Sequence, residues 1–155
     1  VYIVLGAYKE RLIVKVDQYP VKIVHNTQWH LGMGSSIACG VKMLSDDINH
    51  VMLLTVDQWR LTHTDIENLR NCSNDNPASI IVSQWFEQND VSQSGPPVIF
   101  PKAFFTKLIR LSGAQGAKTI VAENKAAVRR VKIANASYDI DTLEDLHQMN
   151  KLQEN

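Results

Sequence analysis

The feature that most constrains this chain is the alternation of short apolar runs with longer stretches of helical periodicity. Val1-Tyr2-Ile3-Val4-Leu5 closes at Gly6, and Val21 to Val24 closes at His25-Asn26. Val51 to Thr55 is followed by Asp57, and Ser79 to Ser83 and Val128 to Ile133 continue the series. Apolar runs this short predict buried strands. Between them, Lys9 to Val16 predicts a short helix, and Ile37, Val41 and Leu44 recur on one helical face. Thr62 with Asp65 has capping-box spacing and opens a helix through Ile66 and Leu69. Pro101 suits the first position of a helix whose inward face is Phe104, Leu108 and Leu111. A short helix follows Gly116, and Thr142 starts a terminal helix with Leu146 and Met149 inward. The polar, glycine- and proline-bearing stretch from Glu87 to Pro97 predicts the longest loop, ahead of a brief strand at Val98 to Phe100. Strands alternating with helices imply an α/β fold of three layers with a mostly parallel sheet. Ligands of such sheets bind beyond the carboxyl ends of the strands. That directs attention to Gly6, Asn26, Asp57, Gln84 and the segment around Asp139.

Composition narrows the partners. The 155 residues, 45% of them apolar, suffice for one sizeable core. Lys+Arg and Asp+Glu both total 16, so the formal net charge is zero. A chain so balanced is not expected to bind nucleic acid or an anionic membrane through bulk electrostatics, although a local phosphate site needs only a few placed donors. Cys39 and Cys72 have no metal-ligand spacing and form no disulfide framework, which favours reduced thiols in a cytoplasmic protein. No apolar run reaches the length of a membrane span. The five histidines show no metal spacing, and no Ser/His/Asp arrangement can be argued. Trp29, Trp59 and Trp85 read as packing or rim residues.

Three constellations can carry chemistry. In Gly32-Met33-Gly34-Ser35-Ser36, the glycines would let backbone N–H groups approach an anion at a helix N-terminus. The same residues equally suit a tight turn in which Ser35 caps the helix. Asp57, at a strand's carboxyl end, suits a Mg²⁺ held against a triphosphate, or simply a strand-terminating turn. In Asp139-Ile140-Asp141-Thr142-Leu143-Glu144-Asp145, a capping pair of Thr142 with Asp145 and a favourable helix dipole account for Glu144 and Asp145. They leave Asp139 and Asp141 unexplained. Lys118 could meet an acceptor phosphate as a point charge, or be a solvated helix residue.

Taken in order, these segments resemble the MobA-like NTP transferase family, and most nearly its molybdenum cofactor cytidylyltransferase branch. The resemblance rests on Val4-Leu5-Gly6-Ala7, on His25-Asn26 with Trp29 and Gly32 to Ser36, and on Val51 to Gln58. It continues through Gly95 to Phe100, Gly116-Ala117-Lys118 and Asp139 to Asp145. It implies a three-layer Rossmann-like nucleotidyltransferase fold as one domain over residues 1–155. The implied activity passes a nucleoside monophosphate, CMP from CTP rather than GTP, to the phosphate of a molybdopterin-type cofactor. Pyrophosphate leaves, and a molybdoenzyme is the implied downstream partner. Asp57 and Asp141 would ligate Mg²⁺ and carry the catalysis, while Asn26, Gly32, Gly34, Ser35 and Ser36 would line the nucleotide pocket. The acceptor would lie over the Gly95 loop and the Gly116 turn.

The chain departs from the family pattern at three places. Trp59 follows the Asp57-Gln58 pair where proline is usual, and Ala114 stands where an acid is common. The family's opening strand and triphosphate-cradling Leu-Ala-Ala-Gly loop have no counterpart, so an N-terminal βα unit on the order of 50 residues is expected to be missing. A non-catalytic protein that binds nucleotide or cofactor, and a related sugar-phosphate nucleotidyltransferase, are the alternatives these departures leave open.

Overall fold

The computed structural model describes residues 1–87 and 90–153. In chain order its main elements are β1 (Tyr2–Leu5), α1 (Lys9–Val16), β2 (Lys22–His25), α2 (Met33–Val41), β3 (His50–Leu53) and α3 (His63–Asp75). They continue with β4 (Ile80–Phe86), β5 (Ser92–Pro101), α4 (Phe105–Leu108), α5 (Lys118–Glu123), β6 (Val128–Lys132) and α6 (Leu143–Gln153). The chain forms two compact units. Unit 1 comprises Val1–Val51 with Phe100–Ala126, and unit 2 comprises Met52–Ile99 with Ala127–Asn155. No helix among the described residues is long and apolar enough to cross a membrane.

In unit 1, β1 and β2 pair in parallel, with Tyr2 opposite Lys22 and Leu5 opposite His25. Parallel neighbours need a crossover, and α1 supplies it at the length its sequence predicts. Leu5 and Val24 are the buried strand residues, and α2 turns Ala38 and Val41 inward. Gly40 brings α2 close to β1, where an added Cβ would lie 2.9 Å from Val4 Cγ2. Leu108 of α4, Ile120 of α5 and Phe100 of β5 are also buried in this unit. Pro101 is the last residue of β5 rather than the first of a helix; it precedes a 3-10 turn, Lys102–Phe104, that leads into α4.

The second sheet has the order β3-β5-β4-β6. β4 runs parallel to β6, from Ile80 opposite Val128 to Gln84 opposite Lys132, and antiparallel to β5. The sheet is therefore mixed, and residues 92–97 of the long loop expected from Glu87 to Pro97 are strand, while 88–89 lie outside the described residues. Ser92, Gln93 and Ser94 pair with Phe86, Trp85 and Gln84. This end of β5 carries no apolar run, which hid it from a reading based on hydrophobic pattern. The two prolines do not break the strand, because the register jumps at Val82/Ser83 and sets them in a bulge. Pro96 and Pro97 have no N–H to contribute to a ladder, and a bulge is where prolines are tolerated. Ser83 Oγ donates to Pro97 O at 2.8 Å and closes the bulge. One core cluster of unit 2 is Leu69, Ile81, Ile99, Ile133 and Ala136, with Trp85 and Met52 packed against it.

The Thr62/Asp65 capping box is present at the start of α3. Thr62 Oγ1 accepts from Asp65 N at 3.2 Å, and Thr62 N donates to Asp65 Oδ2 at 2.9 Å. Asn135 Nδ2 donates to the same carboxylate oxygen at 2.9 Å and ties the segment after β6 to α3. Thr62→Ala is expected to lower unfolding stability by about 1 kcal/mol, the usual worth of an N-cap. Urea unfolding with an unchanged m-value would check it.

Candidate functional site

Unit 2 carries the acidic group. Beyond β3 the chain runs through Thr55 and Val56 to Asp57, where backbone and side-chain ties fix the loop. Asp57 O accepts a hydrogen bond from Ile140 N at 3.1 Å. Gln58 is only 7% exposed, and its Nε2 donates to Pro96 O at 2.9 Å and Ala136 O at 2.8 Å. On the other strand end, Ile133 N donates to Gln84 O at 2.8 Å, which starts the turn leading to Asp139. Asp57 and the 139–141 segment, far apart in the chain, thus meet in one unit.

The electrostatics agree with that meeting. Burial raises the Asp139 carboxyl above its ordinary value, and the negative charges of Asp57 and then Asp141 raise it further. Asp57 Oδ1 is buried and has no hydrogen-bond partner among the described residues. Leaving a buried carboxylate oxygen unpaired costs about 1–3 kcal/mol or more, so this atom suits a partner that arrives with a ligand. Asp145 has no such freedom. Its Oδ2 accepts from Asp141 N (3.1 Å), Thr142 N (2.8 Å) and Thr142 Oγ1 (2.8 Å), the capping arrangement expected at the start of α6. Among the described residues no group of three or more His, Cys, Asp or Glu is arranged to hold a metal ion. The acids therefore do not form an all-protein cage. Mg²⁺ does not need one, because it commonly takes one or two carboxylates and completes its octahedron with waters and substrate phosphates.

Unit 1 carries the glycine-rich turn, and its groups are mostly engaged inside the protein. The N-cap of α2 is Gly32, with φ 94°, and not Ser35, which lies buried within the first turn. The Ser35 hydroxyl faces Gln28 O (2.9 Å) and Gly32 O (2.8 Å) and accepts from Asn26 Nδ2 at 2.8 Å. A hydroxyl so placed closes the loop between β2 and α2 instead of capping a helix. Asn26, 3% exposed, also donates to Ser36 Oγ at 3.0 Å and accepts from Gln28 N at 2.9 Å. The glycines are needed for close packing. An added Cβ on Gly32 would sit 2.7 Å from Gly113 backbone, and one on Gly34 2.8 Å from Ser112 backbone. Gly34 N donates to Gly113 O at 2.9 Å, and Gly113 N donates to Leu31 O at 2.8 Å. The turn is thus locked against the 112–114 segment, and its glycine N–H groups are already used.

An open cleft lies at the carboxyl ends of β1 and β2, lined by Gly6, Tyr8, Lys9, Glu10, His25 and Trp29. Trp29 lies against Gly6, where a Cβ would come within 2.5 Å of Trp29 Cβ, and Lys9 Nζ is 3.4 Å from His25 Nδ1. Sequence reasoning singled out Gly6 by its place after a strand. Nothing in the sequence signalled Lys9 or the clamp made by Gln58.

An α/β protein with carboxylates after a strand end and a turn packed beside a parallel strand pair has the form of a nucleotide-handling enzyme, and the comparisons give the family. Residues 1–129 match the model of the MobA-like NTP transferase domain, and the chain belongs to that family of nucleotidyltransferases. A relative, nicotine blue oxidoreductase of Paenarthrobacter nicotinovorans, is 26% identical over 152 residues, covering 96% of this chain and 74% of the relative. The solved structures include Rv0371C of Mycobacterium tuberculosis H37Rv in complex with manganese, with TM-score 0.73 and 17% identity over 97% of this chain and 77% of that one. They also include a CMP:2-keto-3-deoxy-manno-octonic acid synthetase complexed with CTP, with TM-score 0.76 and 11% identity over 99% and 80% of the two chains. Likenesses at that identity establish the shared α/β nucleotidyltransferase fold.

Two outcomes are expected. Gly34→Ala should destabilise the protein by about 1–3 kcal/mol through overpacking against Ser112, read as a lowered melting temperature. Asp139→Asn should stabilise the metal-free protein at neutral pH. An acid whose folded pKa is raised costs stability above that pKa, and the cost fades as pH falls through the folded value toward the unfolded one. The difference between variant and wild type should therefore vanish below about pH 4, as urea titrations across pH would test.

Proposed function

We propose that this protein transfers a nucleoside monophosphate from an NTP, CTP in preference to GTP, to the phosphate of a molybdopterin-type cofactor. The observation that carries the reading is the buried, unpartnered Oδ1 of Asp57 in the unit that also holds Asp139 and Asp141. In the reaction, an oxygen of the acceptor phosphate forms a bond to the α-phosphorus of the NTP. The bond from that phosphorus to the bridging oxygen breaks, and pyrophosphate leaves with the electron pair. The residues Asp57 and Asp141 fit Mg²⁺, which when bound supplies positive charge against the triphosphate. This chain's own task is to hold its carboxylates still, since phosphoryl-group chemistry depends mainly on positioning and electrostatics. On the nucleotide side the reading assigns Gly32, Gly34, Ser35, Asn26 and Ser36. Of these, Asn26 and Ser35 act by shaping the turn, and Ser36, whose oxygen accepts from Asn26, keeps its own proton for a ligand. The proposed setting is the cytoplasm, with a molybdoenzyme as eventual recipient of the product.

Support for a cytidine nucleotide comes from a structural neighbour described with CTP, and support for a divalent ion from another described with manganese. The internal engagement of the turn's glycine N–H groups and of the Ser35 hydroxyl favours a second reading, a protein that binds nucleotide or cofactor without transferring it. The oxidoreductase name of the relative at 26% identity adds that one family can serve more than one chemistry. Pyrophosphate release separates these readings. With CTP or GTP, Mg²⁺ and a panel of phosphorylated acceptors, the wild type should release pyrophosphate. Asp57→Asn should lose roughly 100-fold or more of that rate, because metal charge stabilisation is worth several kcal/mol. Full activity in Asp57→Asn would overturn the metal assignment. Absence of release with every nucleotide and acceptor would move the assignment to the binding protein.

A further inference from the structure

In unit 2, the loop that bears Asp57 is fastened to the segment bearing Asp139 and Asp141 at three successive points. The first is Ile140 N to Asp57 O, and the second is the Gln58 amide on Ala136 O. The third is a stack of side chains that the proposed transfer chemistry does not use. Arg60 Cζ lies 4.2 Å from the centroid of the Tyr138 ring and 5.6 Å from that of Trp59. Trp59 and Tyr138 meet edge to face, with centroids 6.5 Å apart and planes at 76°. Tyr138 directly precedes Asp139 in the chain, and Trp59 lies two residues beyond Asp57.

We propose that Trp59, Arg60 and Tyr138 form a clasp that sets the spacing of the Asp57 and Asp141 carboxylates, making Arg60 and Tyr138 positioning residues for a divalent cation. The inference rests on the metal reading of Asp57 and Asp141. Its physical basis is that both acids sit on irregular backbone. Residues 54–62 lie outside strand and helix, and so does the stretch from 138 to 142. A loop-borne ligand holds its geometry only when neighbouring groups lock it, and losing such outer contacts typically costs about 10- to 100-fold in metal affinity. Hydrogen bonds secure the loop at residues 57 and 58, and the stack adds the next two positions. A guanidinium suits this role because its flat face stacks on rings while its charge is attracted to them. No carboxylate lies within ion-pair distance of Arg60 among the described residues. Its contribution is therefore positional and not the neutralisation of the acids.

The test is Mn²⁺ binding to the full chain, read from the loss of the free-ion electron paramagnetic resonance signal, with melting temperature recorded for each variant. Arg60→Ala and Tyr138→Ala should each weaken binding by roughly 10-fold. Tyr138→Phe, which keeps the ring, should bind as the wild type does, and the Arg60→Ala/Tyr138→Ala double variant should be no worse than the single ones. Tyr138→Phe also guards against misfolding, since a purely structural loss would not be restored by the ring alone at unchanged melting temperature. Wild-type binding by Arg60→Ala and Tyr138→Ala, with binding lost in Asp57→Asn, would overturn the clasp and leave the metal reading standing. Binding unaffected by Asp57→Asn, or no binding by the wild type, would overturn the metal reading and the clasp with it.

Discussion

The buried carboxamide of Gln58 is the interaction on which the rest of unit 2 depends. One Nε2 group donates to Pro96 O, in the β5 bulge, and to Ala136 O, in the turn after β6. Three parts of the chain that are far apart in sequence are thereby held at one point, beside a carboxylate. The bond is strong in effect because its alternative is poor. A carbonyl buried without a donor costs about 1–3 kcal/mol, so the two acceptors and the amide enforce one another's positions. The bulge made by Pro96 and Pro97 then has a clear place, since residues set outside the ladder leave a carbonyl available to a side chain. The same amide leaves its Oε1 buried and unpartnered among the described residues, next in sequence to the unpartnered Oδ1 of Asp57. Two such atoms side by side mark this loop as the place where the protein accepts a local cost in stability.

Unit 1 solves a different problem with similar means. Its glycine turn is packed so tightly that two Cβ atoms are excluded, and its donors are turned inward to a neighbouring loop. A glycine-rich turn at a helix start is a common anion cradle, but only if its N–H groups stay free. Here Gly34 N–H is given to Gly113 O, and Asn26 and Ser35 spend their polar atoms on each other and on the chain. The turn gains rigidity from this engagement, in which the Ser36 hydroxyl oxygen also accepts from Asn26.

Membership of the MobA-like NTP transferase family gives the fold and the class of chemistry, whereas the particular reaction depends on what the acids and the turn can hold. A relative at 26% identity is named an oxidoreductase, so family membership alone does not fix the reaction. The divalent ion proposed for Asp57 and Asp141 would be weakly caged, because among the described residues no three His, Cys, Asp or Glu are arranged to hold one, and it would share its coordination with substrate phosphates.

The order of strands and helices was legible in the sequence because burial imposes periodicity, and apolar runs with helical spacings report it directly. The capping boxes at Thr62 and Thr142 were legible too, since a cap needs only residues three apart. Gly32, Gly34, Asp57 and Asp141 could be singled out by type and by position after strands. The polar half of β5 could not, because its pairing with β4 is made through backbone and bulge and leaves no apolar pattern. Nor could the engagement of Ser35 and Asn26, which depends on carbonyls brought near by the fold. The contacts from Gln58 to Ala136 and from Arg60 to Tyr138 span 78 residues each. Local sequence determined which elements form and which residue types stand at strand ends. Tertiary structure alone decided which of those residues meet, because hydrogen bonds and stacking act over a few ångströms in space and carry no mark in the linear order of the chain.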